Sequence, residues 1–240
     1  MAGGRYVAQT QRKDLTHKLH VVADFMEDWE SSQVVEGLYL QALKGYEKAW
    51  GPKHTSTLDT VNNLGNLYSK QGKMKEAEEM YLRTLRGYEE AWGPKHTSTL
   101  DTVNNLGNLY KNQGKMKDAE EMYLRALTGY EETLGPKHTS TLDTVNNLGL
   151  LYADQGKVKD AEEMFARALE GYQDVEGDHE ADIEYMQEQL ETLRVGRQTS
   201  SQHLQSDSRN LRADISSDIV NQNDRTARMR DFVLRVLMQP

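Results

Sequence analysis

The sequence contains no cysteine and only four prolines in 240 residues. Without cysteine the chain cannot form disulfides, thiolate-ligated zinc or iron–sulfur sites, or a thiol nucleophile. Its apolar runs are far shorter than the roughly 20 residues that a membrane-spanning helix needs. The first 15 residues also lack the apolar core of a secretory signal. We therefore expect a soluble, cytoplasmic protein that has no association with membranes.

What the sequence does contain is a 42-residue internal repeat. The run from Gly51 to Gly65 recurs from Gly93 and from Gly135. Residues 51–92 and 93–134 are identical at 35 of 42 positions, and residues 93–134 and 135–176 at 31 of 42. The predicted organisation is an N-terminal segment with a degenerate first repeat (1–50), three repeats (51–92, 93–134 and 135–176), a capping helix (177–195), and a polar linker with a C-terminal amphipathic segment (196–240).

Each repeat has the pattern of two helices. Thr55 or Ser56 is predicted to cap the first helix, and Asp59 favours Ser56 because it follows at the capping-box spacing. The second helix is predicted to end at the Gly93-Pro94 pair, because proline cannot continue a helix. One helix pair cannot bury its apolar faces alone, so we expect the repeats to stack into a solenoid.

Tyr88 and Trp92 of the second helix have the spacing of core side chains. Acidic pairs such as Glu78 and Glu79 are expected to lie on a solvated outer helix face. The Gly72-Lys73 pair lacks the glycine spacing of a phosphate-binding loop. These patterns point to no catalytic residue, and we expect no enzymatic activity and no cofactor.

Three histidines, His54, His96 and His138, recur once per repeat before a predicted helix start. A metal site needs several ligands that converge, and one histidine per stacked repeat does not supply them. We therefore expect these histidines to cap helices or to form hydrogen bonds between repeats, and we expect no metal.

The repeats resemble the tetratricopeptide repeat. Their length and the run H-x-x-T-L-x-T-V-N-N-L-G-x-L-Y-x-x-x-G-K-x-x-x-A-E are similar to the kinesin light chain variant, which also occurs in the repeat regions of fungal NOD-like receptors. One departure is threonine, at Thr55, where kinesin light chains usually have proline. The resemblance covers about residues 9–195 and implies an all-α fold, a right-handed superhelical solenoid of antiparallel helix pairs.

The resemblance also implies a non-catalytic protein–protein interaction scaffold that binds a peptide or protein segment in its concave groove. A kinesin-light-chain-like adaptor is the first interpretation. The repeat, ligand-sensing region of a fungal NOD-like receptor is the alternative, and the regulatory arm of an enzyme is an alternative of another class. A coiled-coil segment elsewhere in the gene product would favour the adaptor, and an upstream NTPase domain would favour the receptor.

In the tetratricopeptide fold the first helices line the groove, so the resemblance places the ligand surface on their polar face. The predicted groove residues are Asp59, Asn62, Asn63, Asn66, Asp101, Asn104, Asn105, Asn108, Lys111, Asp143, Asn146, Asn147 and Leu150. Asparagine offers both a donor and an acceptor, which suits the backbone of an extended peptide. The alternative is that these asparagines bridge neighbouring repeats, and both roles can hold together.

Charge favours a basic or neutral ligand. Each repeat places one aspartate in the predicted groove, and the chain as a whole has a net charge of −9. The net charge falls from 0 in residues 51–92 to −1 in 93–134, −4 in 135–176 and −5 in 177–195. This acidic balance argues against nucleic acid as a partner, and salt should weaken the attraction for a basic one.

The C-terminal segment, residues 196–240, has a net charge of +2. Met229, Phe232 and Val236 share one face of a possible helix there. One hypothesis is that this segment docks into the acidic groove near Leu150 and masks it, because tethering raises its effective concentration. The alternatives are a linker, or a helix that binds another chain.

Overall fold

The computed structural model describes residues 16–22, 32–175, 177 and 179–196. These described residues form nine helices and no strand. The helices are α1 (16–22), α2 (Ser32–Trp50), α3 (Thr55–Lys70), α4 (Met74–Trp92), α5 (Thr97–Asn112), α6 (Met116–Thr133), α7 (Thr139–Asp154), α8 (Val158–Asp174) and α9 (180–196). The C-terminal amphipathic segment and its predicted docking lie outside the described residues.

The chain divides into two compact units, Met1–Gln187 and Glu188–Pro240. The first unit contains all of the repeats. The second unit is described for residues 188–196, which are helical.

Within the first unit the helices pack as antiparallel pairs. The most extensive contacts join α3 to α4, α5 to α6 and α7 to α8, and further contacts join each pair to the next through α4–α5 and α6–α7. The prediction of an all-α solenoid of antiparallel helix pairs is confirmed. The first helices of successive repeats, α3, α5 and α7, also contact one another more extensively than the second helices do. This agrees with the resemblance, which places the first helices on the inner side of the stack.

The two helices of a repeat approach closely at a glycine. A Cβ atom added to Gly65 would lie 2.8 Å from the Tyr81 ring, and one added to Gly107 would lie 2.7 Å from the Tyr123 ring. Both tyrosines are buried. Because any side chain at these positions would have to displace a buried ring, the glycine sets the distance between the paired helices.

The helix caps differ from the prediction. His54, not Thr55 or Ser56, is the N-cap of α3, and its Nδ1 accepts a hydrogen bond of 3.2 Å from the Ser56 backbone N–H. His96 and His138 cap α5 and α7 in the same way. The imidazole nitrogen replaces the usual hydroxyl or carboxylate oxygen at the cap, so the expectation of a capping role for these histidines is confirmed.

The ends of the helices follow the glycine and proline positions. Gly72 follows the end of α3 with a φ of +73°, in the left-handed region that reverses the chain into α4. Helix α4 ends at Trp92, directly before Gly93-Pro94, as predicted. The expectation that Trp92 lies in the core is wrong, because 38% of its surface is exposed and its ring stacks between Tyr88 and His96.

Glutamates on the second helices connect neighbouring repeats. Glu78 accepts hydrogen bonds from Tyr110 at 3.4 Å and Gln113 at 3.2 Å, and its carboxylate lies 3.3 Å from the Lys115 ammonium group. Glu120 makes the same three contacts with the following repeat. The expectation that Glu78 lies on a solvated surface is therefore wrong, since it is half-buried and joins two repeats.

Candidate functional site

All of the predicted groove residues lie on α3, α5 or α7, the first helices of their repeats. Their side chains form rows that run from one repeat to the next. Each row has its own hydrogen-bonding pattern, and these patterns decide which polar groups are available to a ligand.

The first row consists of the aspartates, and each aspartate is held by a tyrosine of its own repeat. Tyr130 donates a hydrogen bond of 2.5 Å to Asp101 Oδ1. Tyr172 does the same for Asp143 at 2.5 Å. Asp101 and Asp143 remain exposed in spite of this bond. The tyrosines thus fix each carboxylate in one orientation at the surface.

The repeat of residues 51–92 shares this arrangement, since Tyr88 donates a hydrogen bond to Asp59 Oδ1. Desolvation of the buried phenol raises the pKa of Tyr88, and the bond to the Asp59 carboxylate raises it further. The tyrosine therefore stays a neutral donor at any physiological pH. The Asp59 carboxylate is half-buried, unlike those of the next two repeats.

Asp101 is exposed as a residue, but the surrounding protein partly removes its carboxylate from water. This desolvation raises the pKa of Asp101, while the hydrogen bond from Tyr130 and the proximity of His96 act in the opposite direction. A carboxylate that is partly removed from water gains more from a cationic neighbour than a fully hydrated one does. The Asp101 position is therefore suited to a basic group of a ligand.

The second row consists of Asn66 and Asn108, which also accept from tyrosines. Tyr81 donates a hydrogen bond of 2.7 Å to Asn66 Oδ1, and Tyr123 donates one of 2.6 Å to Asn108 Oδ1. In the third repeat both members of the pair differ, since Leu150 stands at the asparagine position. Phe165 stands at the tyrosine position of this repeat, so the loss of the asparagine acceptor leaves no buried hydroxyl without a partner.

A third row bridges the repeats. The Thr102 hydroxyl lies 3.4 Å from Asn62 Oδ1, and the Thr144 hydroxyl lies 3.5 Å from Asn104 Oδ1. Asn147 Nδ2 donates a further hydrogen bond of 3.3 Å to Asn104 Oδ1. The alternative considered for the sequence, that asparagines bridge neighbouring repeats, is therefore confirmed for these positions.

The remaining groove asparagines extend the same network. Asn105 Nδ2 donates a hydrogen bond of 3.3 Å to Asn66 Oδ1 of the preceding repeat. Asn63 occupies the equivalent position one repeat earlier on α3. Asn146 Oδ1 is buried and has no hydrogen-bond partner among the described residues. Hydrogen bonds between asparagines thus join α3 to α5 and α5 to α7.

Lys111 is the cation among the predicted groove residues, and it already has a partner. Its Nζ lies 3.3 Å from Asp154 Oδ2 on the first helix of the following repeat. The Lys111 side chain is half-buried, with 22% of its surface exposed. It therefore neutralises Asp154 and leaves the exposed carboxylates of Asp101 and Asp143 as the dominant charges on this face.

The sequence analysis did not single out two histidines on α1, His17 and His20. They lie exactly one repeat length, 42 residues, before Asp59 and Asn62. The signal was therefore present in the repeat period, but the degenerate first repeat concealed it. In the structure both histidines make contacts equivalent to those of the residues that they replace.

The described part of the chain offers no group of three or more histidine, aspartate or glutamate side chains that could hold a metal ion. Among the same residues, none of the helices combines the length and the apolar character that crossing a bilayer requires.

Comparisons with known proteins agree with this architecture. Two tetratricopeptide repeat family models match the chain, one over residues 57–98 and the other over residues 98–174. No curated protein sequence matches it. Residues 57–174 therefore consist of tetratricopeptide repeats, and the resemblance inferred from the sequence is confirmed.

Two crystal structures illustrate the shared fold. BtubC (BKLC) from P. vanneervenii has a TM-score of 0.69 and 25% identity, with 78% of this chain and 75% of that chain covered. A Podosopora anserina protein assigned as a kinesin light chain, with nearly identical TPR-like repeats, has a TM-score of 0.66 and 20% identity over 80% of this chain and 92% of that chain. The fold is thus that of the kinesin light chain type of repeat protein.

A tetratricopeptide repeat fold is typically a non-catalytic scaffold. The tetratricopeptide repeats and the shared fold support a scaffold for protein–protein interaction.

Proposed function

We propose that the inner face formed by α3, α5 and α7 binds an extended segment of a partner protein that is basic or neutral in charge. The observation that carries this proposal is the row of aspartates, each oriented by a tyrosine hydroxyl of its own repeat. A carboxylate that is already fixed loses little side-chain entropy when a ligand binds, which favours affinity.

The asparagines support the same proposal. Asn66 and Asn104 use their Oδ1 atoms to accept hydrogen bonds from Asn105 Nδ2 and Asn147 Nδ2 of the following repeat. This contact orients the amide groups, so that each Nδ2 can donate to a backbone carbonyl of an extended ligand. Bridging and ligand binding are therefore compatible roles for one side chain.

Within this function we infer a kinesin-light-chain-like adaptor role, in which the scaffold holds a cargo or partner protein. The similarity of fold to the P. anserina protein supports this inference. The acidic charge of the third repeat adds to the attraction for a basic segment, an effect that falls with ionic strength.

The proposal can be tested with a fluorescent 12-residue peptide of alternating arginine and serine. Asp101→Asn with Asp143→Asn removes two groove carboxylates, yet each asparagine oxygen can still accept from its tyrosine. The matched control is Glu121→Gln with Glu163→Gln, which makes the same change in net charge at exposed positions on α6 and α8.

We expect the groove variant to bind the peptide about tenfold more weakly than the wild type, which corresponds to about 1.4 kcal/mol. The outer variant should stay within about twofold, because only the long-range attraction is reduced. An equal loss in both variants would mean that net charge alone attracts the peptide, and the groove proposal would then be wrong.

A further inference from the structure

Three aromatic rings form a stack where α4 ends and α5 begins. The Trp92 indole lies between the rings of Tyr88 and His96, with centroids 4.8 and 4.4 Å away and interplanar angles of 24° and 26°. The Tyr88 hydroxyl is fixed by its hydrogen bond to Asp59, and His96 is fixed as the N-cap of α5. Because both neighbouring rings are held in place, the stack holds the indole in one orientation.

Trp92 is exposed although its side chain is large and apolar. The two neighbouring rings cover its faces while 38% of its surface stays accessible, so a ligand meets mainly the edge of the indole. The residues aligned with it are less exposed, since Trp50 is half-buried in a similar stack and Leu134 is half-buried against the core. A rigid, exposed tryptophan is well suited to anchor a ligand, because it loses little side-chain entropy on binding.

Two carboxylates of the predicted groove lie close to this stack. Burial and the hydrogen bond to Asp59 raise the pKa of Tyr88, and the charge of Asp101 in the next repeat raises it further. Desolvation raises the pKa of Asp101, and the proximity of His96 at the other end of the stack opposes this rise. The exposed edge of Trp92 thus lies beside negative charges from two consecutive repeats.

The chemistry of an aromatic edge determines which group it attracts. The edge of an aromatic ring is electropositive and its face is electronegative, so a second ring prefers to present its face to an exposed edge. A cation would need a free face of the indole, and both faces are covered here. The edge therefore favours an aromatic side chain, whereas the neighbouring carboxylates favour a basic one.

We propose that Trp92 forms a subsite for an aromatic side chain of the bound segment, beside the Asp59 and Asp101 carboxylates that attract a basic side chain. The proposal rests on the function proposed above and adds a second element of specificity to it. Charge alone attracts any basic segment, whereas this contact selects basic segments that contain an aromatic residue.

The test compares the arginine–serine peptide with two forms in which one central serine is replaced, either by phenylalanine or by cyclohexylalanine. Cyclohexylalanine is similarly bulky and apolar but lacks the quadrupole of an aromatic ring. Because the peptide sequence repeats every two residues, the peptide can shift its register to bring the new side chain to Trp92. Binding is measured by fluorescence anisotropy at pH 7 in low salt.

The main variant is Trp92→Leu, which installs the residue that the next repeat carries at the same position. A second variant, Trp92→Phe, keeps an aromatic ring in the stack. The matched control is Leu82→Ala, which removes an apolar side chain of similar exposure, 36%, from the same helix. Far-ultraviolet circular dichroism checks that each variant is folded.

In the wild type we expect the phenylalanine peptide to bind about fivefold more tightly than the parent peptide and about twofold more tightly than the cyclohexylalanine peptide. Trp92→Leu should reduce the gain from phenylalanine to less than about twofold, because a leucine offers no aromatic edge. Trp92→Phe should keep at least about half of the gain, and Leu82→Ala should keep all of it. All three variants should bind the parent peptide as the wild type does.

The parent peptide separates the two proposals. If it does not bind the wild type, the proposed function is refuted, and the aromatic subsite with it. If it binds but phenylalanine gives no gain, or if Trp92→Leu keeps the gain, the subsite alone is refuted. The subsite is also refuted if cyclohexylalanine matches phenylalanine, or if Trp92→Phe loses the gain as fully as Trp92→Leu does.

Discussion

The pair formed by Tyr123 and Asn108 gives a sharp test of how this structure satisfies its buried polar groups. The Tyr123 side chain is fully buried, and its hydroxyl donates a hydrogen bond of 2.6 Å to Asn108 Oδ1. Asn108→Leu removes the acceptor and leaves the hydroxyl without a partner, which should cost about 1–3 kcal/mol in the free energy of unfolding. Tyr123→Phe alone should cost about 0.5–1.5 kcal/mol.

The double variant reproduces the combination that the third repeat already contains, Leu150 with Phe165. Removal of both partners together is nearly neutral when the shape is kept, so its cost should lie within about 1 kcal/mol of the wild type. The double-mutant cycle should therefore give a coupling of at least about 0.5 kcal/mol. The assay is urea unfolding followed by far-ultraviolet circular dichroism.

The third repeat provides the reverse control. Phe165→Tyr alone places a hydroxyl beside Leu150 and should destabilise the chain, and Leu150→Asn added to it should restore the lost stability. If the single and double variants of either repeat are equally destabilised, the hydrogen bond does not determine which residues these positions tolerate, and our reasoning is wrong.

Three further predictions concern packing, pH and the repeat architecture. Gly107→Ala should destabilise the protein by about 1–3 kcal/mol, because its Cβ would lie 2.7 Å from the Tyr123 ring. The Cβ of Gly37→Ala would meet no atom within 4 Å, so this variant should stabilise α2 by up to about 1 kcal/mol. Thermal unfolding measures both changes, and equal effects of the two variants on stability would contradict this contrast. Burial acts to raise the pKa of Glu120, but hydrogen bonds from Lys157, Gln155 and Tyr152 hold it below its usual 4.5. Its contribution to stability is therefore present above pH 4.5 and lost as the pH falls through the lowered value. Glu120→Gln should destabilise the protein at pH 7 but much less at pH 3. A loss of stability that is the same at both pH values would refute the ion-pair account. Glu121→Gln is the charge-matched control. Deletion of residues 93–134 should leave a folded but less stable chain. Deletion of residues 93–113 should lose more helicity per residue, because it removes one helix of a pair. Equal losses of helicity per residue in the two deletions, measured by circular dichroism, would contradict the solenoid.

The fold could be predicted because its determinants repeat in the sequence. Gly93-Pro94 marks the end of α4, and Gly72 marks the turn after α3, because these residues have restricted or unusual backbone preferences. Apolar residues recur at helical spacing in each helix, and residues such as Leu64 in the first helix and Tyr81 in the second mark the faces that pack together. Such signals are local, and three near-identical copies make them unambiguous.

The details of the site depend on which residues meet across a repeat boundary, and local patterns do not show this. His54 is not among the usual N-cap residues, so the pattern favoured Ser56. Glu78 looks like a surface residue until Tyr110 and Lys115 of the next repeat are placed beside it. Trp92 has the spacing of a core residue, but at the end of its helix its ring stacks between Tyr88 and His96 and 38% of its surface stays exposed.

Alignment of the repeats shows pairs of residues that change together from one copy to the next. The paired change from Tyr123 and Asn108 to Phe165 and Leu150 is visible in the sequence as a correlated difference between copies. The same alignment places His17 at the position that Asp59 occupies one repeat later. Comparison of copies position by position therefore identifies contacts that hydrophobic periodicity does not.

The central claim is that the inner face of the stack binds the ligand. The most direct measurement is the nuclear magnetic resonance shift of side-chain amide groups when the arginine–serine peptide is added. The account predicts that the Nδ2 signals of Asn104 and Asn105 shift in a saturable way, while those of the exposed outer residues Gln41 and Gln173 do not. Shifts confined to Gln41 and Gln173, with the asparagine signals unchanged, would contradict it.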